Sequence, residues 1–194
     1  GNDMMNIRAV GDICPGDVSI TGLGILNITN EYGAQYPFNH IRETLLQSDI
    51  VIGNLEGLLT NGVIERLKNG QRFCGRPDFA KALFHSGFRI VNLANNHTME
   101  YGPKIFRETV DILKSTGIEA CGLRDVSGKY YSEPVMKIIK GIKIGCLGYN
   151  WVGVDKFPEA DACIAQSHDS IVNYTWDRKI KPNCDPRTVN NHVR

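Results

Sequence analysis

The sequence contains no apolar run close to the roughly 18 residues that a membrane span needs, and it contains no dense basic run. Its 22 Lys and Arg residues nearly balance 21 Asp and Glu residues, which leaves a net charge of +1. This balance argues against a binder of phosphate backbones, so no nucleic-acid partner is expected. The first residues also lack the charged-then-apolar pattern of a signal peptide. We therefore expect a soluble chain without a membrane span, and its localisation stays open.

The six cysteines are widely spread, and the sequence contains no Cys-x-x-Cys pair. No histidine lies at zinc-finger spacing from them, so a structural zinc knuckle is not expected. Cys121 and Cys146 lie in apolar stretches and are interpreted as small core residues. Cys163 and Cys184 lie in polar sequence and could either pair or stay free. The cysteines therefore leave the redox compartment open.

A length of 194 residues suits one domain with a sizeable core. Strand-like apolar runs alternate with helical patterns from residue 6 to about residue 121, which predicts an α/β fold with a mainly parallel sheet. We assign residues 1–151 to this domain. Residues 152–194 form an irregular polar segment of the same domain, because no comparable strand occurs there.

Several elements can be placed from periodicity and from their start and stop signals. Strands are predicted at residues 6–10, 49–53, 89–94 and 118–121, and a hairpin at residues 133–139 and 142–147. Helices are predicted from Pro37 to Leu46, from Asp78 as the capping residue to Ser86, and from Pro103 to the stop signal at Gly117. Residues 19–36 are expected to form a long loop, and residues 60–75 an excursion outside the core.

Three of the predicted strands end at polar side chains, which are Asp12, Glu56 and the pair Asn96-His97. The carboxyl ends of parallel strands meet at one edge of a sheet, where ligands bind. Two carboxylates, an amide oxygen and an imidazole are suited to manganese, iron, magnesium or zinc. The pattern therefore predicts metal-assisted chemistry, in which one or two ions would activate a water molecule.

Each of these residues also has a simpler interpretation. Asn96 and His97 could form an Asn-rich turn, and Asp12 could bond only the amides of its own turn. Glu56 could be a solvated loop acid. Asp17 is as well explained by a turn as by metal binding. Glu100 and Tyr101 could merely shape the start of the following helix, where an acid interacts well with the helix dipole.

The stretches GDICPGD (residues 11–17), NLEGLLT (54–60) and VNLANNHTMEYG (91–102) resemble three motifs of the bacterial poly-γ-glutamate capsule synthesis proteins, the CapA family of the calcineurin-like metallophosphatase superfamily. The third motif is the most specific. The resemblance implies an αββα sandwich with a mainly parallel sheet. It also implies that Asp12, Glu56, Asn96 and His97 are metal ligands or their equivalents, with Asn96 and His97 as the catalytic pair.

The family's later histidine motifs, of His-Trp-Gly and Gly-His-x-His type, are absent from this sequence. The resemblance therefore implies an incomplete sandwich, the N-terminal half, with about half of a dinuclear site. In this form the divalent metal (Mn, Fe, Zn or Mg) could be missing altogether.

Two functions follow as expectations. The first is a bacterial capsule-synthesis protein that handles an anionic polymer or a phosphoester and, if active, is a metal-dependent hydrolase of the metallophosphatase type. The alternative is a non-catalytic scaffold or polymer-binding remnant of that fold, completed by homodimerisation. Family members commonly lie outside the cytoplasm or at the membrane, but the sequence does not place this chain.

Overall fold

The computed structural model describes residues 4–17, 24–123 and 134–148. Its centre is a four-stranded parallel sheet, whose members are β1 (Ile7–Ile13), β2 (Ile50–Leu55), β5 (Phe88–Asn92) and β6 (Glu119–Cys121). Across the sheet the strands lie in the order β1-β2-β5-β6. The predicted α/β class and mainly parallel sheet are confirmed.

Four α-helices occur in the described residues, together with a 3-10 helix at Tyr36–Phe38 and two short strand pairs. The helices are α1 (Ile25–Tyr32), α2 (Arg42–Leu46), α3 (Asp78–His85) and α4 (Gly102–Thr116). One pair is parallel, formed by β3 (Leu58–Leu59) and β4 (Cys74–Gly75). The other is the antiparallel hairpin of β7 (Val135–Ile139) and β8 (Ile142–Cys146), as predicted.

Both faces of the parallel sheet carry apolar side chains, because neighbouring residues of a strand point to opposite faces. Val51 and Val91 belong to the main core, where they are buried with side chains of α3 and α4. Ile50 and Ile90 belong to a second core that includes Val135 of the hairpin. The layers of the fold follow one another in the order helices, parallel sheet and hairpin. This order agrees with the expected metallophosphatase-like sandwich.

Four local predictions are corrected by the structure. The predicted loop 19–36 contains α1, which the weak helix formers of its sequence conceal. The predicted helix from Pro37 is broken into the 3-10 helix and α2, and Leu46 is 53% exposed. Asp78 is the first residue of α3 and does not cap it. Residues 60–75 return to the core at their end, since Phe73 and Cys74 are buried.

The described cysteines Cys14, Cys74, Cys121 and Cys146 are free thiols. Burial raises the pKa of Cys121 to about 12, which agrees with its predicted place in the core. Cys146 packs against the same second core. Cys163 and Cys184, and the whole segment 152–194 with its predicted boundary, lie outside the described residues. No helix in the described ranges is both long and apolar enough to cross a membrane.

The hydroxyl of Thr109 joins α4 to β3. Its Oγ1 atom, fully buried, accepts the backbone N–H of Leu59 at 2.9 Å and lies 2.8 Å from the carbonyl oxygen of Ile105. Thr109→Val would leave the Leu59 N–H without an acceptor. We expect the free energy of unfolding in urea to fall by about 1–3 kcal/mol. Thr109→Ser keeps the hydroxyl and should cost only about 1 kcal/mol for the lost methyl group. A Thr109→Val protein as stable as the wild type would rule out a contribution of the hydrogen bond.

Candidate functional site

Three strands bring polar side chains to one edge of the parallel sheet. In the register of the sheet, Asp12 on β1 pairs with Asn54 on β2, and Asn54 pairs with Asn92 on β5. Glu56 follows β2, and Asn96-His97 follows β5. β1 and β2 run further than predicted, so Asp12 and Asn54 lie within them, whereas β5 ends at Asn92, before the predicted end at residue 94. The structure thus brings all four predicted site residues to the same edge. We call the group of side chains at this edge, Asp12, Glu56, Asn96 and His97 with Asn54 among them, the strand-end cluster.

The two carboxylates of the cluster share one amide donor. The Nδ2 atom of Asn54 lies 2.8 Å from Oδ1 of Asp12 and 3.5 Å from Oε2 of Glu56. Hydrogen bonds from Glu56 and Asn54 hold the pKa of Asp12 below its ordinary value. Burial, and then the neighbouring Asp12, raise the pKa of Glu56. The pair therefore has unequal proton affinities, with Asp12 the more acidic member.

The imidazole of His97 is held on three sides. Its Nδ1 atom lies 2.9 Å from Oε1 of Glu100, and its ring stacks on Phe73 with centroids 3.6 Å apart and planes 10° apart. Its Nε2 atom lies 3.1 Å from Nδ2 of Asn96 and 3.3 Å from Oε1 of Glu56. With Nδ1–H bonded to Glu100, Nε2 of a neutral ring accepts from the amide of Asn96, and Nε2–H of a protonated ring donates to Glu56. In either state Nε2 of His97 faces Glu56 and Asn96.

Asn95 orders the turn that presents these groups. Its Oδ1 atom accepts the backbone N–H of His97 at 3.1 Å, and its Nδ2 atom donates to the carbonyl oxygen of Leu55 at 2.9 Å. The hydroxyl of Thr98 lies 3.1 Å from the same Oδ1 atom. The Asn-rich turn proposed as the simpler interpretation is thus present, and Asn95 forms it. The side chains of Asn96 and His97 take part in the cluster instead.

Sequence reasoning missed several members of the site. Asn54, Asn92 and Asn95 belong to the site, although the sequence pattern points only to the acids and to Asn96-His97. A signal for Asn54 was available, since it precedes Glu56 by two residues and residues of such spacing share one face of a strand. Phe73 gave no signal, because it comes from a distant loop. Glu100 does more than shape the start of α4, since its carboxylate holds His97.

Asp17 and Tyr101 contribute to the surroundings of the site and not to the cluster. The carboxylate of Asp17 is fully buried and forms an ion pair with Arg72. Its Oδ1 atom also accepts the backbone N–H of Asn27 at 3.2 Å. The hydroxyl of Tyr101 donates to the carbonyl oxygen of Glu65 at 3.0 Å. These bonds fix residues 60–75 against α1 and the start of α4.

The donor chemistry of the cluster fits a divalent cation. Asp12 and Glu56 supply carboxylate oxygens, and His97 offers Nε2 while its other nitrogen is held by a carboxylate, an arrangement common among metal-binding histidines. Among the described residues, no three His, Cys, Asp or Glu side chains stand at the spacing of a preformed metal site. The ligand types are therefore suitable, although the side chains are bonded to one another.

The fold and the cluster define a class: an α/β protein with a parallel sheet, whose strand ends gather carboxylate, amide and imidazole groups. The family model for the bacterial capsule synthesis protein PGA_cap matches residues 6–189. The chain belongs to this family.

Two relatives extend the match. Capsule biosynthesis protein CapA of Bacillus anthracis is 27% identical over 206 residues, which cover 98% of this chain and 47% of the relative. PGA biosynthesis protein CapA of Bacillus subtilis strain 168 is 25% identical over 153 residues, which cover 76% of this chain and 38% of the relative. The chain therefore spans less than half the length of either relative.

Proposed function

We propose that this capsule-synthesis-family protein carries a metal-dependent, phosphoesterase-like site that serves the synthesis or export of an anionic polymer such as poly-γ-glutamate. The observation that carries the proposal is the meeting of Asp12, Glu56 and His97 at the carboxyl edge of a parallel sheet. The names of the two CapA relatives support the capsule role. The donor set and the position at the strand ends support the chemistry.

In this proposal Asp12, Glu56, Asn96 and His97 hold one or two divalent ions, of which manganese, iron, zinc and magnesium suit such ligands. When bound, such an ion would lower the pKa of its water ligand and would stabilise negative charge on a phosphoryl or acyl oxygen. Asn96 is placed to donate to the developing negative charge of the reacting group. Glu100 and Phe73 keep His97 from rotating away from the reacting edge.

A second candidate function is that of a non-catalytic, polymer-binding scaffold. It is favoured by the bonding of the cluster's side chains to one another and by the lack, in the described residues, of three grouped His, Cys, Asp or Glu ligands. In that case the cluster stabilises the sheet edge, and polymer binds without being cleaved.

Metal content separates the two candidates. The protein is purified without an affinity tag, reconstituted with Mn²⁺, Fe²⁺ or Zn²⁺, desalted and measured by elemental mass spectrometry. Near-stoichiometric metal, followed by hydrolysis in a phosphoester screen, is the expected result. Protein that stays metal-free under all three conditions would refute the metal-dependent site and leave the scaffold.

Homodimerisation is a further part of the proposal, supported by the outer face of the hairpin. Ile138 is 71% exposed and Met136 is 51% exposed, which is unusual for neighbouring side chains of a short strand pair. Light scattering coupled to gel filtration should give a mass that rises with concentration. A monomer mass at all concentrations would remove dimerisation from the proposal.

A further inference from the structure

Asn54 lies at the centre of the strand-end cluster and uses both ends of its amide. Its Oδ1 atom lies 2.9 Å from Nδ2 of Asn92 and 3.2 Å from Nδ2 of Asn95. Its Nδ2 atom faces the carboxylates of Asp12 and Glu56. An amide has a donor end and an acceptor end, so the direction of this group decides whether the carboxylates receive hydrogen bonds.

One chain of bonds that fixes this direction runs through Asn95. The backbone N–H of His97 can only donate, so the side-chain atom of Asn95 that it meets at 3.1 Å must be the oxygen. The other end of Asn95 is then the NH₂ group, which also bonds the carbonyl oxygen of Leu55. The atom of Asn54 that faces this NH₂ group is therefore its oxygen, and its own NH₂ group points to the carboxylates.

A second, independent series of hydrogen bonds runs through Asn92 and gives the amide of Asn54 the same orientation. The backbone N–H of Ala94 donates to Oδ1 of Asn92 at 3.1 Å, so the opposite end of Asn92 is the NH₂ group. That NH₂ group lies 3.1 Å from the carbonyl oxygen of Ala94 and also meets Oδ1 of Asn54. Two backbone N–H groups therefore set the direction of one side chain.

We propose that Asn54 is a positioning residue, locked by Asn92 and Asn95 so that its NH₂ group holds the carboxylates of Asp12 and Glu56 together. Each carboxylate gives one of its lone pairs to this contact. The other contacts of the pair, between Glu56 and Asp12 and between Oε1 of Glu56 and Nε2 of His97 at 3.3 Å, are the ones that a cation would replace. The role of Asn54 in setting the carboxylate geometry is independent of metal, while its effect on metal affinity rests on the proposed function.

Two glycines make room for this arrangement. A Cβ atom on Gly148 would lie 2.1 Å from Oδ1 of Asn92, and one on Gly122 would lie 2.8 Å from the same atom. Gly122 has φ = +87°, so a side chain there would also strain the backbone. A Cβ atom on Gly148 would also lie 2.7 Å from Cα and 2.8 Å from N of Gly122. Gly148→Ala should therefore displace Asn92 from Asn54 together with the backbone at Gly122, and it is a second route to the same effect where circular dichroism shows a folded protein.

The first test uses metal-free, ¹⁵N-labelled protein and reads the side-chain amide of Asn54 by NMR. Asp12→Ala removes the acceptor of one amide hydrogen and should speed its exchange with water about 10- to 100-fold, the factor expected for a lost bond to a charged group. The side-chain amides of Asn92 and Asn95 should change little. Unchanged exchange at Asn54 in Asp12→Ala would overturn the proposal.

The second test measures Mn²⁺ affinity by calorimetry on the full chain. Asn54→Ala and Gly148→Ala should each weaken binding about 10- to 100-fold, as loss of groups that orient metal ligands does. Asn69→Ala, which removes an exposed amide bonded to Gln71, is the matched control and should bind as the wild type does. Wild-type affinity in a folded Asn54→Ala protein would also overturn the proposal. If the wild type binds no Mn²⁺, the metal site fails, and the NMR test still decides the role of Asn54.

Discussion

Asp12→Ala/His97→Ala is expected to weaken Mn²⁺ binding by at least about 100-fold, more than the loss of a residue that only orients ligands. The double change removes one carboxylate and the imidazole, which belong to two different strand ends. Asp12 is exposed and His97 half-buried, so the fold should survive the change. Metal per chain by elemental mass spectrometry and affinity by calorimetry give the result, and circular dichroism reports whether the protein is folded.

Asp78→Ala/His85→Ala is the matched control. It removes the same two residue types from the exposed surface of α3, away from the strand ends. Metal binding should be unchanged, and the loss of the Asp78 charge from the first turn of α3 should cost about 0.3–1 kcal/mol. Equal metal binding by the control and by Asp12→Ala/His97→Ala would show that the ion binds elsewhere, and the proposed site would have to be abandoned.

Arg72→Ala should lower the free energy of unfolding by about 3–5 kcal/mol, because it leaves the fully buried carboxylate of Asp17 without its ion-pair partner. Arg72 also donates to the side-chain oxygen of Asn27 at 3.1 Å. One guanidinium thus connects the end of the excursion 60–75 to α1. Urea unfolding measures the loss, and hydrogen exchange should show early opening of α1.

Two variants test whether the buried charge is the cause. Arg66→Ala removes an exposed arginine that donates to the carbonyl oxygen of Gly70, and it should change stability by less than about 0.5 kcal/mol. Asp17→Asn combined with Arg72→Met removes both charges and should recover part of the loss. A double variant as unstable as Arg72→Ala alone would point to lost packing and not to an unpaired charge.

Much of the fold could be predicted from local pattern. Phe106 and Leu113 repeat at helical spacing between Pro103 and Gly117, which predicts helix α4, and the structure buries both side chains. The apolar runs of β2 and β5 indicated strands that are buried on both faces. The predictions fail where local signals are weak, as in α1, which has few strong helix formers. A backbone N–H in the first turn of α1 is bonded by Asp17, which lies eight residues before the helix begins.

The sequence by itself determined the parallel sheet, the hairpin and the meeting of Asp12, Glu56 and Asn96-His97 at one sheet edge, because strand ends follow from hydrophobic periodicity and from chain order. Only the tertiary structure decided which atoms of these groups meet. The row of Asp12, Asn54 and Asn92 depends on strand register, and the stacking of Phe73 on His97 depends on the path of a distant loop. Register and loop path are set by packing across the whole domain, which no local pattern encodes.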